Sequence, residues 1–280
     1  MKAMIIRPPA VSGLFYPSDP TLLSLDVDNM LEEALDPTLP GAPVAVVAPH
    51  AGYAYSGPTA ATAYAALKTR PFRTAVIVSP SHREYFNGIS VYEGDAYRTP
   101  LGLINIDVAL RKKLLAYKGI IKSSIMGHRD EHAIEVQLPF IQRINPDAKI
   151  LPIVMGDQRP EYCRLLGDAL AHVIADSSTV LIASSDLSHF HSQAEARLRD
   201  AIAATHLRDV QPMALLDDVA SERCEACGAG PVAAVMTAAM HLGAITSTIL
   251  HQCTSGDVTG DNTRVVGYLS AAFTRGRNTV

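Results

Sequence analysis

The stretch Pro43-Val-Ala-Val-Val-Ala-Pro-His50 decides how the chain folds. Its short, continuous apolar run, rich in valine, reads as a strand buried on both faces, as at the centre of a parallel sheet. Pro49 ends the run, and Gly52 and Gly57 let the chain turn sharply. His50 therefore stands just past the carboxyl end of a buried strand, the edge where open α/β sheets hold their ligands. Taken alone, it reads more plainly as a loop histidine satisfied by one hydrogen bond. It is not alone. Thr74-Ala-Val-Ile-Val-Ser79 leads into Pro80-Ser81-His82, and Thr179-Val-Leu-Ile-Ala-Ser184 leads into Ser185-Asp186-Leu187-Ser188-His189.

Outward from these runs, helical periods cover 22–35, 107–117, 162–174 and 193–206, with a further helix over 211–218. The alanine-rich segment 59–67 reads as the crossover helix after the first strand. Residues 131–144 form an amphipathic pattern that Pro139 must kink or break. Residues 149–155 read as another strand, although Pro152 donates no ladder hydrogen bond. Residues 89–93 alternate as a more exposed strand, 97–102 read as a loop, and prolines punctuate an irregular segment 1–20. Cys224-Glu-Ala-Cys-Gly-Ala-Gly-Pro231 opens an alanine-rich helix to about Leu242, before closing strands at 245–250 and 263–273 around a polar turn at 256–262. Strands alternating with helices predict an α/β fold with a mainly parallel central sheet flanked by helices. No linker interrupts the pattern, so residues 1–280 read as a single domain.

Composition narrows the function classes. A net charge of −4 without a basic cluster argues against nucleic acid or an anionic membrane as partner. No apolar run is long enough to span a bilayer, and the N-terminus lacks the pattern of a secretory signal. Four cysteines, at 163, 224, 227 and 253, are too few for a disulfide scaffold and fit a reducing cytoplasm.

In a parallel sheet the carboxyl ends of the three strands lie on one edge, so His50, His82 and the Asp186/His189 pair can share a crevice. Two imidazoles with an anionic third ligand make a minimal site for a divalent transition metal, with open positions for substrate or oxygen. Cys227 is a candidate for that anion. It precedes Gly228-Ala-Gly-Pro231, and a cysteine at a helix N-terminus has a lowered pKa, so its thiolate should react faster than Cys163 or Cys253 once metal is removed, unless Cys224 captures it in a disulfide. The plain alternative is a small buried hydrophobe, and Asp186 is then the remaining anionic candidate. Cys224 and Cys227 form a Cys-x-x-Cys without the second pair a structural zinc site needs.

His128-Arg-Asp-Glu-His132 fits the inverted zinc-peptidase pattern His-x-x-Glu-His, with Glu131 as its carboxylate. That chemistry needs both histidines on one helical face, whereas Gly127 precedes the match and the apolar period starts near Ala133, so the match straddles a helix start. His128 is then expected to be exposed or peripheral. Glu131 and Glu135 read as solvated carboxylates or as groups behind a ligand.

Five ordered motifs carry a resemblance over nearly the whole chain. Ala48-Pro-His-Ala-Gly-Tyr53, Pro80-Ser-His82, Asp130-Glu-His-Ala-Ile-Glu135 with Leu138-Pro139, Ser184-Ser-Asp-Leu-Ser-His189 and Cys227-Gly-Ala-Gly-Pro231 resemble the Memo family, as does the opening Gly13-Leu-Phe-Tyr16. Prokaryotic members are labelled protein B of a three-gene AmmeMemoRadiSam system, which implies a radical-SAM protein as partner. The family is similar in fold to class III (LigB-type) extradiol dioxygenases. The resemblance implies a metal centre of His50, His82 and Cys227, where the dioxygenases use two histidines and a glutamate. His189 falls where those enzymes keep an acid–base histidine, Asp186 lies beside it, and His132 and Glu131 fall within a shared motif. Iron is the first expectation for the metal. Thiolate in place of carboxylate makes copper(I) and zinc competitive. The expectation is iron- or copper-dependent redox chemistry on a small-molecule or peptide ligand. The alternatives are extradiol ring cleavage, a non-enzymatic peptide- or metal-binding module, and the zinc peptidase.

Overall fold

Apolar runs with no polar alternation can be buried on both faces only if helices cover both sides of their sheet. The computed structural model, which describes residues 3–34, 38–117, 119–174 and 178–276, has that construction. In chain order the elements begin with β1 (Ile6–Arg7), α1 (Pro20–Glu33), β2 (Pro43–Ala48), α2 (Tyr53–Lys68), β3 (Thr74–Pro80), β4 (Ile89–Tyr92), β5 (Ala96–Thr99) and β6 (Gly102–Asn105). There follow α3 (Val108–Leu115), β7 (Ile121–Ser124), α4 (His132–Glu135), α5 (Leu138–Ile144), β8 (Lys149–Met155), α6 (Pro160–Val173) and β9 (Thr179–Ser184). The chain closes with β10 (His189–His191), α7 (Gln193–Arg208), α8 (Pro212–Ala220), α9 (Ala229–His241), β11 (Ala244–Thr254), α10 (Ser255–Thr259) and β12 (Val265–Arg275).

The main sheet has nine strands in the order β10-β12-β2-β9-β3-β8-β4-β7, with β11 also paired to β12. Its centre, β2-β9-β3-β8, is parallel. The pairs β12–β2 and β8–β4 are antiparallel, so the sheet is mixed at both flanks. Alternate residues feed two apolar clusters. Ala45, Val47, Val76, Val78, Leu181 and Ala183 pack with α3, α6, α7, α8 and α9. Val46, Ala48, Ala75, Ile77, Val180 and Ile182 pack with α1, α2, α4 and α5. No helix among the described residues is long and apolar enough to cross a membrane.

Several local expectations change. Residues 97–102 are not a loop: β5 and β6 form a hairpin, with Thr99 opposite Gly102. Pro100 and Leu101 make its turn, and Gly102 takes a φ of 117°, which glycine adopts without strain. With β1 the hairpin makes a small second sheet, so the opening segment is not wholly irregular. The pattern over 131–144 divides into α4 and α5, because Pro139 sits in the first turn of α5, where its missing N–H costs nothing. α2 begins at Tyr53, six residues ahead of the alanine-rich run, and its Gly57 lets α1 approach: a Cβ there would fall 2.5 Å from Met30 Sδ. Pro152 is accommodated within β8. Ile150, of the same parity, gives its carbonyl to Asp107 N on the β4 side, and the β4 ladder stops at Ile153. The turn at 256–262 contains α10, started by a capping box of Thr254 and Asp257. Leu35, at the end of the first expected helix, lies outside the described residues.

Candidate metal centre

β2, β3 and β9 run parallel, so the residues just beyond them emerge together. His50 follows β2, His82 follows β3, and α4 brings His132 in from the side. The ring centroids lie 5.0 Å apart for His50 and His82, 5.3 Å for His50 and His132, and 4.7 Å for His82 and His132. One nitrogen from each ring lies within 4.8 Å of the others, so the group could hold a metal ion. Cys227 Sγ stands 3.1 Å from His50 Nε2.

Surrounding hydrogen bonds fix which ring nitrogens face inward. Ser184 Oγ gives its one proton to Ala133 O and accepts from Gln137 Nε2. His50 Nδ1, 2.9 Å from the same oxygen, must therefore donate, which leaves the Nε2 lone pair for the crevice. His82 is fixed by a carboxylate: Glu131 accepts its backbone N–H at 2.6 Å and its Nδ1–H at 2.9 Å. Glu131 also caps α4 by accepting from Ala133 N. A carboxylate or hydroxyl behind a ligand imidazole, setting its tautomer and aim, is a recurrent feature of metal sites. His132 Nδ1 is buried without a hydrogen bond, although Glu131 Oε1 lies 3.3 Å away out of line. A buried polar atom with no partner is unusual in a folded protein. Here its neighbour is Glu131 Oε1, already shared by His82 Nδ1 and Ala133 N, so both rings turn Nδ1 to this carboxylate, and the group of three imidazoles fits a metal ion.

Electrostatics agree with that donor set. Burial, then repulsion from His82, pushes His50 down to about 3, and burial with repulsion from His50 pushes His132 down to about 4. Both rings are neutral at physiological pH, as ligands must be. Burial alone would raise Glu131, but hydrogen bonds and attraction from His82 outweigh it and hold the carboxyl down at about 2. Asp186 is raised by burial, against a 2.7 Å hydrogen bond from His50 N.

Cys227 needs a correction. It lies one residue before Gly228, the N-cap of α9, and the proximity of that helix does not lower its pKa. Burial and neighbouring Asp186 push the thiol well above its ordinary value, so it is neutral unless a cation replaces the proton. Its position is closely set. Gln158 donates to Cys227 O at 2.8 Å and accepts from Gly230 N at 2.8 Å, and Asp186 N points at the sulfur from 3.3 Å.

The other expected residues take distinct places. Asp186 borders the crevice beside Cys227 and His50. His189 is partly buried on β10, where Nδ1 meets Leu187 O at 2.8 Å and the backbone N–H reaches Glu225. His128 is not exposed: it is fully buried away from the other histidines, between Tyr97 Oη at 2.7 Å and Ser90 O at 3.2 Å. α4 starts only at His132, so His128 and His132 share no helical face and the peptidase geometry is absent. Glu131 and Glu135 are buried rather than solvated, and Glu135 accepts from Arg7, Tyr16 Oη, Ala10 N and Val11 N. Sequence reasoning gave no part to Ser184, Gln137 or Phe15, whose ring lies 4.9 Å from that of His132. Ser184 carried a signal, a polar residue closing a buried strand just before Asp186, and Phe15 lay within the Gly13-Leu-Phe-Tyr16 motif.

Fold and crevice together define an α/β protein with a histidine-lined site at the carboxyl edge of its central strands. A family model described as Memo-like protein matches residues 7–272, and the chain belongs to that family. It is 35% identical to a MEMO1 family protein of Methanopyrus kandleri, over 96% of this chain and 99% of that one. It is 39% identical to one from Methanothermobacter thermautotrophicus, over 94% and 99% of the two chains. An Aquifex aeolicus member is 35% identical, over 96% and 100%. Among solved structures, an uncharacterized protein from Escherichia coli K12 superposes with a TM-score of 0.51 at 15% identity, covering 82% of this chain and 98% of its own, which speaks to fold alone.

Proposed function

We propose that the crevice is a redox-metal centre in which His50 and His82 supply imidazole nitrogens, Cys227 supplies the anion and His132 closes the group. The observation that carries the reading is the convergence of three imidazoles beside Cys227: Ser184 holds the tautomer of His50, Glu131 that of His82, and His132 has one nitrogen within 4.8 Å of a nitrogen of each. Iron is the first candidate. Sulfur among the donors brings copper(I) and zinc into competition. A bound iron or copper would supply one-electron chemistry and a position for oxygen or substrate. The chain's own groups have separate tasks. Glu131 keeps His82 aimed, Ser184 does so for His50, and Phe15 shields His132 from water. Asp186, beside Cys227 and His50, and His189, near enough for its charge to act on His50, would take or give a proton on a small-molecule or peptide ligand. The test is elemental analysis of protein purified without oxygen. Near-stoichiometric iron or copper is expected in the wild type and little in His50→Ala or Cys227→Ser. Equal metal in wild type and His50→Ala overturns the reading.

A further inference from the structure

α2 presents a polar stripe to β11 and β12 within an otherwise apolar interface. Thr62 Oγ1 meets Ser270 Oγ at 2.6 Å. One turn earlier, Thr59 Oγ1 stands 2.8 Å from His251 Nδ1 and 3.1 Å from Cys253 Sγ. His251 and Cys253 are two residues apart on β11, so both project to the same face. They lie opposite Ser270 and Tyr268 of β12. Thr59 is fully buried, Cys253 half-buried and His251 exposed, so the cluster runs from the interior to solvent.

We propose that His251 and Cys253 form a second metal site, separate from the histidine crevice, for a soft monovalent cation of the Cu(I) class. The donor set selects the ion. One thiolate and one imidazole are soft or borderline ligands. Among the described residues neither side chain has a hydrogen bond or ion pair to a carboxylate, whereas calcium and magnesium need several oxygens. Asp257, whose charge reaches Cys253, is tied instead to Thr254 and Arg197. A structural zinc needs four protein ligands, and this face supplies two and a neutral hydroxyl. Cu(I) is satisfied by two or three donors. Thr59 Oγ1 touches both ligand atoms and so keeps them to either side of one hydroxyl. The cation enters past the exposed imidazole, displaces the thiol proton to solvent and bridges sulfur and nitrogen. Neither Cys163 nor Cys224 offers such a place, since both are fully buried.

The experiment is an anaerobic titration of the metal-free full chain with Cu(I) against a chromogenic Cu(I) chelator. Wild type should withhold one equivalent more than Cys253→Ser or His251→Ala. Cys227→Ser should keep the Cys253-dependent equivalent, because Cys227 lies in the other site. X-ray absorption of Cu(I)-loaded Cys227→Ser should show sulfur and nitrogen donors together, with sulfur lost in the Cys227→Ser/Cys253→Ser double variant. The proposal is overturned if Cys253→Ser withholds as much Cu(I) as wild type, or if the double variant keeps the sulfur signal of Cys227→Ser.

Discussion

Glu131 grips His82 at two points, one carboxylate oxygen on the backbone N–H and the other on Nδ1–H. A glutamine there offers only one acceptor, so one of the two bonds must fail. Glu131→Gln should therefore lower metal affinity by about 10–100-fold with the fold intact, because the imidazole loses its fixed aim. Competition with a metal chelator measures this, and an unchanged affinity would detach Glu131 from the centre. Cys227 gives a second prediction, opposite to the one its helix-side position suggests. With burial and Asp186 holding the thiol neutral, chelator-treated protein should alkylate slowly at Cys227 at pH 7, not faster than Cys253. Mass-spectrometric mapping of iodoacetamide labelling checks this. Rapid labelling of Cys227 at pH 7 would mean that a thiolate forms without a metal.

At the scale of elements, the site depends on how closely the turn before α9 approaches the end of β9. A Cβ at Gly228 would fall 2.3 Å from Ser184 O, and Gly228 N donates to Ser185 Oγ at 3.0 Å. Gly228→Ala must push the start of α9 away, and Cys227 with it. The expected cost is about 1–3 kcal/mol of stability, accompanied by loss of metal, read by denaturant unfolding and elemental analysis on the same sample. Stability lost with metal fully retained would show that the sulfur does not depend on this contact. The three strands that carry the site were legible because a run such as Val44–Ala48 has no polar residue to place in water, so two covered faces were its only outcome. Asp186 and the two strand-end histidines followed from parallel direction alone. His132 was harder to place. It is the first residue of the single turn α4, which no strand run points to, and its place beside His50 and His82 depends on how that turn packs across the strand ends. The hairpin of β5 and β6 was missed because Pro100 and Gly102 read as loop residues, whereas Pro100 opens the two-residue turn and Gly102 already pairs with Thr99.

For the whole molecule, the two sheets are joined through a buried polar network that no local pattern reveals. Arg7 of β1 pairs with Glu135 of α4, and its guanidinium also donates to the carbonyls of His128 and Glu131. The N-terminal segment is thereby pinned beside the crevice, with Phe15 against His132. His128 sits in this network as a neutral ring: Ser90 O can only accept, so Nε2 carries the proton and Nδ1 accepts from Tyr97 Oη. Burial, with the nearby Arg7 charge, pushes His128 down to about 3. The unfolded chain binds that proton near pH 6.5, so between about pH 6.5 and 3 the unfolded state holds more protons than the folded one. Stability from this residue is complete above that window and falls as the pH drops through it, by up to about 1.4 kcal/mol per pH unit. His50 and His132, also depressed, add to the loss in the same direction, and Glu131 adds its own below about pH 4.5 as its carboxylate is protonated. His128→Gln preserves an acceptor for Tyr97 and a donor for Ser90 but cannot titrate. Urea unfolding of metal-free wild type and His128→Gln at steps from pH 7 to 4 should give a shallower acid slope for the variant, by close to one proton, whatever its stability at pH 7. Parallel slopes would mean that the folded protein admits a proton at His128 as readily as the unfolded chain, and that the network around Arg7 opens before the molecule unfolds.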